Sequence, residues 1–410
     1  MQGHCTFDWL AAGVTAPAGF AAAGIPAGIK SHAARDKKDM ALIAADRSVV
    51  AAGVFTTNRI KAAPVLLCRR RLKKSRRAQA VIINSGNANA CTGKKGMADA
   101  ESMAAITAGL LRINPALTLV CSTGTIGVPL PMEKIKRGIG LAVKNLARNG
   151  GSEAARAIMT TDTRPKQMAV RLRLGGKKVT IGAMAKGAGM ISPKMATLLG
   201  FITTDAAVAP AALQEALSFA VEESFNRILV DGDTSTNDTI LCLASGLAGN
   251  KTLTKQHPEW KIFKSALTEL CRKLAYMIVE DGEGVTKVVR LVVKGAQSRA
   301  EAEKVARAIA RSPLVKTSWF GADPNWGRVI CAIGYSGAEI IPEKISIDYN
   351  GRVAVKSGKS AGLPPAVLQK IIAGKEFTIG VNLHQGDASY AMLTCDCSLD
   401  YVRINADYMT

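Results

Sequence analysis

The chain has 410 residues, enough for a large core and for two subdomains rather than one. Hydrophobic residues make up 48% and charged residues 21%, which excludes a disordered or fibrous chain. A formal net charge of +22, from 54 Lys and Arg against 32 Asp and Glu, raises nucleic acid as a partner but also suits small anionic ligands.

The first residues lack the basic and apolar regions of a signal peptide. Residues 9–29 are uncharged but carry Pro17, Pro26 and several glycines, too weak a run for a membrane helix. A soluble cytoplasmic protein with no membrane partner is expected. The densest basic run, "CRRRLKKSRRAQ" at 68–79, has no interleaved aromatics to stack bases and reads as a solvated surface or loop. No nucleic-acid partner is expected from it.

"AVIINSG" (80–86) and "LTLVCSTG" (117–124) read as short buried strands that end in small residues. The loop "SGNANACTGKKG" fails as a phosphate loop, because six residues separate Gly86 from Gly93 where four are needed. Helical periodicity marks 97–113, 131–150, 210–230 and 258–280, and Ser298 with Glu301 forms a capping box that opens another helix. Hairpins are expected around Gly175-Gly176 and Asn350-Gly351. Helices alternating with strands and hairpins predict an α/β class with layered sheets.

"DGDTSTNDT" (231–239) resembles a calcium loop but has Thr236 and Cys242 where glycine and glutamate are required. Asp231, Asp233, Asn237 and Asp238 remain candidates to bind an amine or to brace a loop. The nine cysteines (Cys5, Cys68, Cys91, Cys121, Cys242, Cys271, Cys331, Cys395 and Cys397) are odd in number and scattered, as reduced thiols are. Cys395 and Cys397 share a strand face, but none of the four histidines (His4, His32, His257, His384) is near, so no metal is expected. No histidine sits in a catalytic motif; His384 in "NLHQGD" is the best placed.

One stretch offers a base without histidine. In "KGAGMISPKMATLLGF" (186–201), Thr197 stands between a glycine-rich turn and an apolar run. The plain reading is a loop feeding a strand. Scission of the Ala196–Thr197 bond would instead free an α-amino group with a pKa of about 7.7–8.0, suited to activate the threonine's own hydroxyl. An oxyanion hole is then required. "CSTGTIG" (121–127) supplies the Thr123 hydroxyl and the Gly124 N–H after a predicted strand.

These stretches together resemble the ornithine acetyltransferases, the glutamate N-acetyltransferases of arginine biosynthesis. "GVTAPAGFAAAGIPAGIK", "DMALIAADRSVVAAGVFTTNRIKAAPV", "VIINSGNANACTG", "CSTGTIGVPLP", "IMTTDTRPK", "AKGAGMISPKMATLLGFITTDA", "DGDTSTNDT", "VEDGEGVTK" and "FGADPNWGR" follow in the family's order across nearly the whole chain.

The resemblance implies a layered α/β sandwich shared with certain N-terminal-nucleophile aminopeptidases. It also implies autocleavage between Ala196 and Thr197. The products are an α chain of 1–196, carrying the oxyanion hole, and a β chain of 197–410, carrying the nucleophile, assembled as an α2β2 heterotetramer. Thr197 would be the nucleophile, with Thr123 and Gly124 as the oxyanion hole. Implied substrate contacts are Thr163 (with Thr160 and Thr161 beside it), Lys186, Thr197, Glu283, Asn405 and Thr410. The expected reaction moves acetyl from N-acetylornithine to glutamate, without a cofactor. Acetyl-CoA as a second donor stays open, and so does the aminopeptidase or amidase alternative on the same fold.

Overall fold

The computed structural model describes residues 7–30, 37–192 and 198–407. Fifteen strands form two sheets among these residues. The larger sheet holds β1 (Asp8–Leu10), β2 (Phe20–Ile25), β3 (Met40–Phe55), β4 (Arg77–Asn87), β5 (Thr118–Thr125), β6 (Lys166–Leu174), β7 (Lys177–Lys186), β8 (Leu199–Thr204) and β9 (Thr239–Ala244). Its order is β1-β6-β7-β8-β9-β3-β4-β5, with β2 against β3. The β4–β5 and β8–β9 pairs are parallel and the rest antiparallel.

Strand alternation explains how both faces are covered. On β9, Ile240 and Cys242 join one apolar cluster while Leu241 and Leu243 join another. The first face is packed by α5 (Pro210–Glu222) and α6 (Trp260–Glu280), after α1 (Ala63–Lys74), α2 (Gly93–Leu111), α3 (Met132–Lys144) and α4 (Gly151–Ala157) in chain order. Helices α2 and α3 pack on Met40 and Leu42 of β3 and Ile82 of β4. Helix α4 lies on β2 closely enough that a Cβ at Gly24 would sit 1.9 Å from the Glu153 carbonyl oxygen.

The smaller sheet comes wholly from the last third of the chain. Its strands are β10 (Val288–Ala296), β11 (Ser346–Tyr349), β12 (Arg352–Lys356), β13 (Lys359–Ser360), β14 (Glu376–Asn382) and β15 (Ala388–Cys395), ordered β13-β12-β11-β14-β10-β15. Helices α7 (Arg299–Arg311), α8 (Pro313–Phe320) and α9 (Trp326–Gly334) cover it, and Trp319 meets Phe377 edge-on at 6.1 Å. Helices α10 (Pro365–Ile372) and α11 (Leu399–Asp407) complete the chain. A β-bridge between Ile228 and Leu393 links the two halves. The architecture is α/β with layered sheets.

Three sequence expectations need correction. The run 210–230 is not one helix: α5 ends at Glu222 because Ser224 leaves helical backbone at φ −137° and its hydroxyl bonds the Ala220 carbonyl. The run 131–150 holds only α3, which stops at Lys144, and α4 starts at Gly151. The basic run 68–79 is solvated but is not a loop. It is the end of α1 and the start of β4, with Cys68 and Leu72 buried and the charges on the open side.

Candidate active site

Parallel pairing of β4 with β5 sets Gly86 opposite Gly124. Gly124 has φ +131°, and a Cβ there would lie 2.3 Å from the Gly86 carbonyl carbon. Only glycine fits this approach. Thr123 and Gly124 line a cavity of about 210 Å³, together with Thr160, Thr161, Lys186, Gly189, Glu283, Tyr401 and Asn405.

Lys186 ends β7 and is buried. Burial lowers its pKa, partly offset by the Asp162 carboxylate. Asp162 Oδ2 lies 4.0 Å from Lys186 Nζ and accepts the Thr160 N–H at 3.0 Å. Its Oδ1 accepts the Gly187 N–H at 2.8 Å and Lys166 Nζ at 2.6 Å. Burial opposes the Asp162 charge, but the Lys186 and Lys166 ammoniums outweigh it and hold the carboxyl at about 2. Lys166, with no exposed side-chain surface, also donates to Asp281.

This buried chain of charges was not legible in the sequence. The only sign of it was an acid and a base four apart in "TTDTRPK". It also sorts the three threonines. Thr160 and Thr161 reach the cavity, whereas Thr163 is outside its lining and gives both its N–H and its hydroxyl to Asp281.

Carboxylates form another wall. Glu283 follows the end of α6; its N–H bonds the Ala188 carbonyl at 3.1 Å, and one carboxylate oxygen accepts Asn405 Nδ2 at 2.8 Å. Gly189 presses on this carboxylate, since a Cβ there would lie 2.3 Å from it. Asp231 and Asp233 also line the cavity. Burial raises the Asp231 carboxyl to about 6, against the N–H donations from Asp233 and Met190. Tyr401, which sequence reading missed, joins them from α11.

Of the two roles open to the 231–238 loop, Asn237 and Asp238 take the bracing one. Asn237 Nδ2 donates to the Ala88 and Ser122 carbonyls at 2.6 and 2.8 Å. Asp238 is fully buried and accepts the Leu198 N–H at 2.8 Å. Leu199 pairs with both Lys186 and Thr239, so the strand that begins beside residue 197 starts next to the cavity lysine. Ala196, Thr197 and Thr410 themselves lie outside the described residues. Among the described residues no cluster of three metal-ligand side chains occurs, and no helix is long and apolar enough to cross a membrane.

Fold and cavity together define an α/β protein with a small polar pocket that presents a buried ammonium and several carboxylates, the complement of an amino-acid ligand carrying both charges. The ArgJ family model matches residues 21–410. The chain is 51% identical over 403 residues to the arginine biosynthesis bifunctional protein ArgJ of Symbiobacterium thermophilum, covering 98% of this chain and 100% of that one. It is 44% identical over 397 residues to the protein of the same name from Bacillus subtilis, covering 97% and 96%. A solved structure of ornithine acetyltransferase complexed with ornithine, from Mycobacterium tuberculosis, is 46% identical, with a TM-score of 0.43 over 46% of this chain and 98% of that one. The chain belongs to the ArgJ family.

Proposed function

We propose that this chain transfers acetyl from N-acetylornithine to glutamate through an ester on Thr197, and that it first cuts itself between Ala196 and Thr197. The observation that carries this reading is convergence. Thr123, Gly124, Lys186, Glu283 and Asn405, scattered along the sequence, line one small cavity. Leu198, next to Thr197, is anchored to the buried Asp238. Family membership supports arginine biosynthesis as the setting.

In maturation the Thr197 hydroxyl attacks the Ala196 carbonyl, the peptide nitrogen leaves, and water cleaves the resulting ester. The products are an Ala196 carboxylate and a free Thr197 amine. In turnover that amine accepts the hydroxyl proton while Oγ attacks the acetyl carbon. Thr123 and Gly124 stabilise the oxyanion in both reactions; one such donor contributes about 3–4 kcal/mol. Ornithine leaves with the proton, and the glutamate amine then takes the acetyl from the threonine.

Lys186, Thr160 and Thr161 hold the substrate carboxylate, and Glu283, with Asp231 and Asp233, holds its ammonium. Thr163 acts through Asp281 rather than by contact. The cut enzyme works as an α2β2 heterotetramer in the cytoplasm, and Thr410 adds a contact at the carboxyl end. Acetyl-CoA serves as a second donor to the same threonine.

Incubation with N-acetylornithine and [¹⁴C]glutamate tests the reading. Labelled acetylglutamate is expected, whereas release of acetate alone would assign the chain to the amidases. Glutamate with acetyl-CoA as sole donor tests the second route.

A further inference from the structure

We infer that a basic groove behind the cavity wall binds the phosphates of an acyl donor too large for the cavity itself. This rests on the acetyl-transfer reading. The groove holds about 750 Å³ and is lined by Arg59, Thr234, Lys304, Arg307 and Arg311, with Glu303 the acidic residue among them. Arg307 is paired to Glu303, and Lys304 to Glu301 outside the lining. Among the described residues neither Arg59 nor Arg311 has a carboxylate partner. Among the described residues, Arg311 donates to the Ser192 hydroxyl at 3.1 Å and to no carboxylate. Two guanidiniums with spare donors suit a phosphate or pyrophosphate, which they grip bidentately.

The groove and the cavity share one wall. Thr234 faces the groove, while Asp231, Asp233, Ser235 and Thr236 of the same loop line the cavity. The Arg311 stem packs behind Gly232, where a Cβ would lie 3.7 Å from its Cγ. The 56–62 loop that carries Arg59 is laced to this wall. Asn58 Nδ2 donates to the Thr234 carbonyl at 3.1 Å, the Thr56 hydroxyl to that of Ser235 at 2.8 Å, and the Ala62 N–H to that of Thr236 at 3.0 Å.

Size and charge then divide the donor. The cavity, about 210 Å³ and lined by Asp231, Asp233 and Glu283 against the one Lys186 ammonium, fits an acetylated amino acid and is too small and too acidic for a nucleotide's several phosphates. A nucleotide thioester must therefore place only its acetyl end inside and its phosphates over the wall. In the reaction the acetyl carbon gains a bond to the nucleophile's oxygen and loses its bond to sulfur. The hydroxyl proton leaves with the thiol.

The test uses the processed enzyme, wild type and Arg59→Ala/Lys304→Ala, both exposed positions. Acetyl transfer to glutamate is measured from acetyl-CoA, from S-acetyl-N-acetylcysteamine, which has no phosphates, and from N-acetylornithine. Adenosine 3′,5′-bisphosphate and inorganic pyrophosphate are added as inhibitors. Loss of charge-assisted phosphate contacts is expected to raise the KM for acetyl-CoA about tenfold or more relative to the truncated thioester. Inhibition competitive with acetyl-CoA and weakened in the variant supports a donor subsite. Inhibition of the N-acetylornithine reaction that is not competitive, and is weakened in the variant, assigns the same groove to a free phosphorylated effector. A variant in which both thioesters respond equally and the phosphates bind unchanged overturns the inference. Wild-type enzyme inert toward N-acetylornithine refutes the acetyl-transfer reading instead, and the phosphate-binding arm is read independently.

Discussion

Asn405 Nδ2 donates to Glu283 Oε2 at 2.8 Å across 122 positions of sequence, which ties the last helix to the acidic wall of the cavity. Asn405→Ala removes that donor from a largely buried carboxylate, at a cost of about 1.5–3 kcal/mol for a bond to a charged group. The expected outcome is a KM for N-acetylornithine raised roughly tenfold or more, with kcat changed less. Asn405→Asp, which sets two carboxylates together, is expected to do more harm. Steady-state kinetics checks both.

Lys166 is the keystone of the buried charge chain, bonded to Asp162 and Asp281 at once. Lys166→Met leaves the Asp281 carboxylate buried without a counter-ion, while Asp162 keeps Lys186 at 4.0 Å, and is expected to destabilise the fold by about 3–5 kcal/mol. Adding Asp281→Asn to the same chain removes the orphaned charge and restores part of that loss. Urea unfolding of the single and double variants measures the difference.

Gly189 leaves no room for a side chain against Glu283. Gly189→Ala is expected to fold but to push the carboxylate aside, raising the KM for the ammonium-bearing substrate about tenfold and leaving the unfolding midpoint nearly unchanged. A large stability loss with unaltered KM contradicts the assignment of Glu283 to the ammonium.

Asp231 and Asp162 shift in opposite directions, so they act in different pH windows. The Asp231 carboxyl is raised to about 6 in the fold, so the native state binds the proton more tightly and stability falls as pH rises from about 4 to about 6. Asp162 is lowered to about 2, and its contribution is present above about 4 and lost as pH falls toward 2. Asp231→Asn is expected to flatten the slope between pH 4 and 6, a difference of at most about 3 kcal/mol, and to leave the acid limb in place. Denaturant midpoints across pH 2–7 test it.

Local signals carried much of the fold into the sequence. Ser298 caps α7 by accepting the Glu301 N–H, and Asn350-Gly351 turns β11 into β12, as their residue types require. Where α5 ends was not legible, because the apolar period continues through Phe225 and Ile228 while the backbone breaks at Ser224. The site was legible only where a motif names a residue. Thr160 and Thr163 look alike in "TTDT"; the Asp281 carboxylate that claims Thr163 lies 118 positions away. Tyr401 and the Lys166 network depend on the same kind of distant contact.

The central claim is an acetyl group carried by Thr197 at a terminus made by self-cleavage. Intact and peptide mass spectrometry of purified enzyme after N-acetylornithine alone measures it directly. The account predicts two polypeptides meeting at 196/197, one acetyl added to the Thr197 side chain, and a single unlabelled, inactive chain for Thr197→Ala. A fully active uncut wild-type chain, or acetyl on any other residue, contradicts it.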